Sequence, residues 1–242
     1  MSSPPAQSTI RLDRVTLTRG DARLFDGLTL DLSERRIGLI GDNGAGKSSF
    51  LRLLNGLLKP DAGRVIVAGL DSVADRAALP AKVGFVFQNP DHQIVFPTVL
   101  EEVAFGLRER GRSAREADAA ARETLARHGC ADWADRAVQE LSEGQKQRLC
   151  IIAIAAMEPA VLVMDEPFSS LDLPTRLSLT RLLERLPQQV VVASHDLDLL
   201  AGMDRLLWLR AGAIVADGPP QEVIAAYVLH ARRLGDVAEA AA

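Results

Sequence analysis

The chain has 242 residues, of which 48% are apolar and 25% charged, with 18 glycines and 12 prolines. That composition excludes low-complexity, disordered and fibrous classes and fits one compact α/β unit. A formal net charge of −4 and a pI near 5.6 give no overall field to draw the chain onto a polyanion, so a nucleic-acid role would require a local basic patch.

Met1 to Thr9 is polar and proline-containing, without a basic segment leading into an apolar core, so no secretory signal is expected and a cytosolic setting follows. The longest apolar stretch, Leu149 to Met157, is far short of the roughly 18 residues that span a bilayer. Residues 8–32 alternate apolar and polar positions around a Gly20-Asp21 break, which predicts a hairpin at an antiparallel edge. Ile37 to Ile40 reads as a short buried strand, followed by a loop over Gly41 to Gly46. Phe50, Leu51, Leu53, Leu54, Leu57 and Leu58 then repeat at helical spacing.

Further strands are expected at Arg64–Ala68, Val83–Phe87, Val161–Met164, Val190–Ser194 and Leu206–Leu209. Most are continuous apolar runs, as in a parallel sheet covered on both faces. Residues 88–148 carry no strand pattern, are rich in Ala, Arg and Glu, and open one helix with the capping box Ser113-x-x-Glu116, so they read as an inserted helical subdomain. One domain is therefore expected over residues 8–218, its core formed by 8–87 and 149–218. A final helix over Gln221–Leu234 and a fraying alanine-rich end occupy 219–242. Cys130 and Cys150 sit in different elements, outside any Cys/His cluster, and are expected to be buried thiols. No internal repeat is present.

Gly41-Asp42-Asn43-Gly44-Ala45-Gly46-Lys47-Ser48 matches G-x-x-x-x-G-K-[ST], preceded by a strand and followed by a helix. Its glycines let successive amides point at phosphate oxygens, the helix start adds its positive end, Lys47 supplies a point charge and Ser48 is placed for Mg²⁺. Val161 to Glu166 is an apolar strand ending in two carboxylates at the sheet's carboxyl edge. Asp165 is placed for the Mg²⁺ shell, and Glu166 to orient or deprotonate a water attacking the γ-phosphate. Leu141 to Arg148 reads as a second capping box, with Ser142 at the N-cap and Gln145 three residues on. Gly144 is unfavourable in a first turn, and its bare backbone suggests close approach of a second anion.

Taken together with Gln88, Ser169-Ser170-Leu171-Asp172 and His195, these motifs resemble the ATP-binding cassette ATPases over almost the whole chain. The resemblance implies a P-loop NTPase core with an inserted helical subdomain, and ATP with Mg²⁺ as ligands. It also implies a head-to-tail dimer with a second ATPase subunit, expected to be a homodimer. ATP would lie between Gly41–Ser49 of one subunit and Ser142, Glu143, Gly144 and Gln145 of the other. By the same carry-over Ser48, Gln88 and Asp165 approach the metal, the last through water. Asp172 faces across the dimer, and Glu166, His195, Gln88 and Lys47 serve hydrolysis. Two departures stand out: Glu143 replaces the glycine commonest in the signature, and Thr16 to Gly20 lacks the aromatic that usually stacks on adenine, leaving Arg19 for a cation–π contact.

Phe87 to Gln93 and Glu101 to Leu107 are similar to the ATPase subunits of energy-coupling-factor importers, and the short chain is most similar to the biotin-system ATPases. This implies a peripheral protein on the cytoplasmic membrane face, docked through residues 88–107 to a transmembrane scaffold (T component), with a separate substrate-capture (S component) protein and no nucleic acid. Cobalt or nickel import is the nearest alternative. A soluble cassette acting on DNA or ribosomes finds no support in heptads, Cys clusters or repeats, and a non-hydrolysing regulator is opposed by the intact Asp165-Glu166 pair.

Overall fold

The computed structural model describes residues 10–20 and 22–240. The readings made on Met1–Thr9, on Asp21 and on the last two alanines lie outside the described residues. The opening alternation forms β1 (Ile10–Arg19) and β2 (Ala22–Leu32), an antiparallel pair burying Ile10, Leu12, Val15, Leu17, Phe25 and Leu32 on one face. Next come β3 (Arg36–Ile40) and α1 (Lys47–Leu54), then β4 (Ala62–Val67) and β5 (Leu70–Asp71). β4 pairs antiparallel with β1, giving a four-stranded sheet in the order β2-β1-β4-β5. The Arg64–Ala68 run thus belongs to the antiparallel layer, and Ala68 is a positive-φ residue in the turn to β5.

The remaining elements are β6 (Val83–Val86), α2 (Val99–Glu109), α3 (Ala114–Arg127), α4 (Glu143–Ala156), β7 (Val161–Asp165), α5 (Leu173–Arg185), β8 (Gln189–Ala193), α6 (Leu197–Ala201), β9 (Arg205–Arg210), β10 (Ala213–Gly218) and α7 (Pro220–Ala240). A six-stranded sheet runs β10-β9-β3-β8-β7-β6, parallel throughout except for β10. Successive strand residues point to opposite faces. Val161 and Val163 therefore join a core shared with α1 and the antiparallel sheet, while Leu162 and Met164 join one shared with the helices. Both faces being covered explains the continuous apolar runs.

Among the described residues 88–148 contain α2, α3 and the start of α4, and their one strand-like feature is a single bridge between Thr98 and Ala137. The expected boundary at 148 falls inside α4. Ser113 and Glu116 form the expected capping box, and both cysteines are free and buried. α7 begins one residue before the expected helix and runs past Leu234.

Arg36 anchors the base of β3. Its guanidinium is 7% exposed and donates to the carbonyls of Leu183 (2.7 Å), Leu186 and Gln188 (2.7 Å), closing the last turn of α5, while its own N–H donates to Asp204 Oδ2 at 2.8 Å. Desolvation lowers its pKa, which is tolerated because several carbonyls receive the charge. Replacing Arg36 with Met leaves those buried carbonyls unpaired, and the expected loss is about 3–5 kcal/mol in urea unfolding, without a change of fold at low denaturant.

Candidate active site

β3 ends at Ile40 and the chain turns through Gly41–Gly46 into α1. The turn presses on β9: a Cβ on Gly41 would lie 2.0 Å from the Leu209 carbonyl oxygen. Gly46 closes the loop at φ +104 as the N-cap of α1, beside the Phe25 ring. Lys47 is 7% exposed, and its Nζ donates to the Gly41 carbonyl at 2.6 Å and lies 3.0 Å from His195 Nε2. Burial lowers the ammonium's pKa, against the upward pull of Glu166, Asp165 and Asp42.

Asp165 ends β7 opposite Ala193 of β8, so residues just beyond these two strands converge. Glu166 takes a left-handed conformation at φ +48, its N–H donating to the Ala193 carbonyl at 2.9 Å. A glutamate at positive φ is a strained placement that turns its side chain off the strand direction. Its Oε2 accepts from the His195 N–H at 3.2 Å, and its Oε1 lies 3.3 Å from His195 Nε2. Desolvation raises the Glu166 carboxyl pKa, opposed by His195 and Lys47.

These groups line one cleft of about 790 Å³. Of the sequence-predicted residues it contains Asp42, Asn43, Gly44, Gly46, Lys47, Ser48, Ser49, Gln88, Asp165, Glu166 and His195. Gly41 and Ala45 support the loop without lining the cleft. Arg19 and Leu24 flank it where the aromatic is missing. The cleft also includes Arg52, Phe168, Arg176 and Asp196, which were not predicted; Arg176 pairs with Asp196 at 2.9 Å. Asp196 was legible as the N-cap before Leu197, since its Oδ1 accepts from the N–H groups of Asp198 and Leu199, whereas Arg176 carries no local signal. Tyr227 of α7 was also missed: its ring meets Trp208 edge-on at 5.6 Å, and burial, then Asp42, raises the phenol pKa.

Ser142, Glu143, Gly144, Gln145 and Asp172 lie outside this cleft. Ser142 and Gln145 form the expected capping box at the start of α4. The Glu143 carboxylate accepts a hydrogen bond from Ser170 Oγ within the same chain. Gly144 has a packing reason for its missing side chain, because a Cβ there would lie 2.4 Å from Thr175 Cγ2. Asp172 caps α5 by accepting from the Thr175 N–H at 3.0 Å, and Gln88 Nε2 donates to Ser169 Oγ at 3.2 Å.

Residues 25–169 match the family model described as ABC transporter. The chain belongs to the ABC transporter family. It has the α/β ABC ATPase fold and is an ATP-binding, ATP-hydrolysing member. It is 52% identical over 219 residues to the biotin transport ATP-binding protein BioM of Rhodobacter capsulatus, covering 90% of this chain and 94% of that one. The solved structure of cbiO1 from Clostridium perfringens, described as part of the ABC transporter complex cbiONQ, superposes with a TM-score of 0.80 at 27% identity, covering 95% of this chain and 98% of that one. The dimeric ATP-binding cassette MJ0796 bound to ADP and Pi gives 0.75 at 26% identity, with coverage of 87% and 98%. Among the described residues no helix is long and apolar enough to cross a membrane.

Proposed function

We propose that this ATPase drives an energy-coupling-factor importer for biotin. Its catalytic unit is a homodimer in which each cleft is completed by Ser142, Gly144 and Gln145 of the opposing copy. The observation that carries this reading is the division of the motifs: the phosphate loop, Asp165, Glu166, Gln88 and His195 share one cleft, while the second capping box and Asp172 stand apart from it. One chain so arranged holds two complementary halves. The biotin assignment draws on the BioM likeness, and the dimer on the MJ0796 assembly.

In this mechanism the amides of Asn43 to Ser49 and the Lys47 ammonium hold the β- and γ-phosphates. Ser48, Gln88 and Asp165 offer only oxygen donors to a metal, a set suited to Mg²⁺, a hard cation that keeps several waters and leans on substrate phosphates. Mg²⁺, when bound, would screen the phosphate charge. Glu166 accepts the proton of the attacking water, and its left-handed backbone with the His195 hydrogen bond fixes where that carboxylate points. His195 and Lys47 face the charge that develops on the γ-phosphoryl group.

The cytoplasmic membrane face is reached through residues 88–107. Val95 is 77% exposed and Phe105 42% exposed, and Phe105 lies 4.9 Å from the Phe96 ring, an apolar patch held by Glu102 Oε2 accepting from the Val95 and Phe96 N–H groups. A T-component scaffold covers that patch and an S component captures the solute, so this chain touches no cargo.

Glu166→Gln is expected to keep ATP binding and to accumulate a closed dimer while turnover falls about 100- to 1,000-fold; near-normal phosphate release by that variant would remove Glu166 from its role. The raised Glu166 pKa sets a pH signature: the carboxylate needed as base is lost as pH falls through a value above the ordinary glutamate range. The acid limb of kcat/KM, which reports the free enzyme, therefore lies above that range, and it is absent from the residual activity of Glu166→Gln. Cells lacking this chain should lose uptake of labelled biotin and keep that of Co²⁺ and Ni²⁺; the reverse pattern moves the importer to the metal class.

A further inference from the structure

We infer that Glu143 is a positioning residue: its hydrogen bond with Ser170 latches the start of α4 to the segment following Glu166 in the same protomer. The inference rests on the half-site reading given above. Glu143 occupies the first position of α4, where a carboxylate suits the positive helix end. That helix end must also face a triphosphate on the opposing copy, and a free carboxylate there would repel it. Ser170 Oγ, 2.5 Å from Glu143 Oε1, holds the charge toward its own chain. The contact is not isolated. Gly144 abuts Thr175 so closely that a Cβ would overlap it, and Thr175 is the residue that Asp172 caps, so the starts of α4 and α5 meet as one packed corner.

The neighbouring hydroxyl extends this corner to the other side of the site. Ser169 Oγ accepts from Gln88 Nε2, and Gln88 opens the 88–107 region that carries the exposed Val95 and Phe105. Consecutive serines three and four residues past Glu166 therefore connect Gln88 on one side with Glu143 on the other. A displacement of the Gln88 loop reaches the start of α4 through two hydrogen bonds and one peptide unit. In a chain with glycine at position 143, that second connection would be missing.

Hydrogen exchange on the full chain tests the latch without needing a dimer. Glu143→Ala and Ser170→Ala should each speed exchange about five-fold at amides of residues 142–146 and 169–172, the scale of one exposed hydrogen bond to a carboxylate, and the double variant should add nothing further. Glu143→Gln keeps an oxygen acceptor and should behave as the parent. In a Glu166→Gln background, where light scattering follows ATP-dependent dimerisation, Ser170→Ala leaves the carboxylate free and should weaken assembly about five-fold, and adding Glu143→Ala should restore it, while ATP binding to the isolated chain is unchanged. Unchanged or additive exchange overturns the latch. A latch seen in exchange with full-strength dimerisation in Ser170→Ala overturns its positioning role. A Glu166→Gln parent that fails to dimerise with ATP sinks the half-site reading instead, and the exchange data still decide the latch.

Discussion

Backbone amides can cradle phosphate oxygens only if the chain carrying them bends tightly against something rigid. Here the rigid wall is β9, whose Leu209 carbonyl stands where any side chain on Gly41 would have to go, with Phe25 of the antiparallel sheet closing the other end of the turn at Gly46. The cleft follows from that wedge. β9 lies next to β3 in the sheet order, with β8 and β7 on the far side of β3, and all four point the same way. The loop after β3, His195 after β8 and Glu166 after β7 must then share one edge. No side chain has to travel far to meet them: Lys47 folds back onto the Gly41 carbonyl and still reaches His195. Arg36 fixes the opposite end of the same strand, so β3 is held at its base by one buried cation and at its tip by the glycine turn.

What the sequence made legible was local in kind. Period-two alternation located β1 and β2, uninterrupted apolar runs located β3, β7 and β8, and capping boxes located the starts of α3 and α4. The cleft residues were legible because their motif places them at the carboxyl ends of adjacent parallel strands. Partnership across the chain was not. Nothing in Arg64–Ala68 says that it pairs with β1 rather than joining the parallel sheet, and β10 alternates half-buried and exposed residues too weakly to stand out. Arg176, Tyr227 and the Glu143–Ser170 contact are likewise tertiary facts, since each depends on which helix packs where. Gly144 shows how a local reading can be incomplete: closeness to an anion was inferred from its bare backbone, and closeness to Thr175 is what the fold displays.

Burial acts on the two central charges in opposite senses. It raises the Glu166 carboxyl and lowers the Lys47 ammonium, because leaving water penalises each charged form. Each is also the other's relief, since Lys47 pulls Glu166 down and Glu166 pulls Lys47 up. A pair poised this way responds strongly to a further charge in the cleft. A triphosphate favours the Lys47 ammonium and disfavours the Glu166 carboxylate, strengthening its demand for a proton. Glu166 is thereby made a better acceptor when the substrate is in place.

In the proposed dimer a single protomer's cleft is half of a site. Of its cations, Arg176 is already committed to Asp196, and Lys47 is shared among backbone carbonyls and His195. Asp42, Asp165 and Glu166 add negative charge to the same space. Arg19 and Arg52 also line the cleft, and beside the phosphate loop one chain offers its amides and one buried ammonium to a transferring phosphoryl group. A helix N-terminus is the missing kind of donor, because it adds amides and a positive dipole end without another side chain to desolvate. α4 is such a helix, and Glu143 is the one group on it that would spoil the match. In the proposed dimer, its hydrogen bond to Ser170 turns that charge toward its own chain and away from the triphosphate of the second copy.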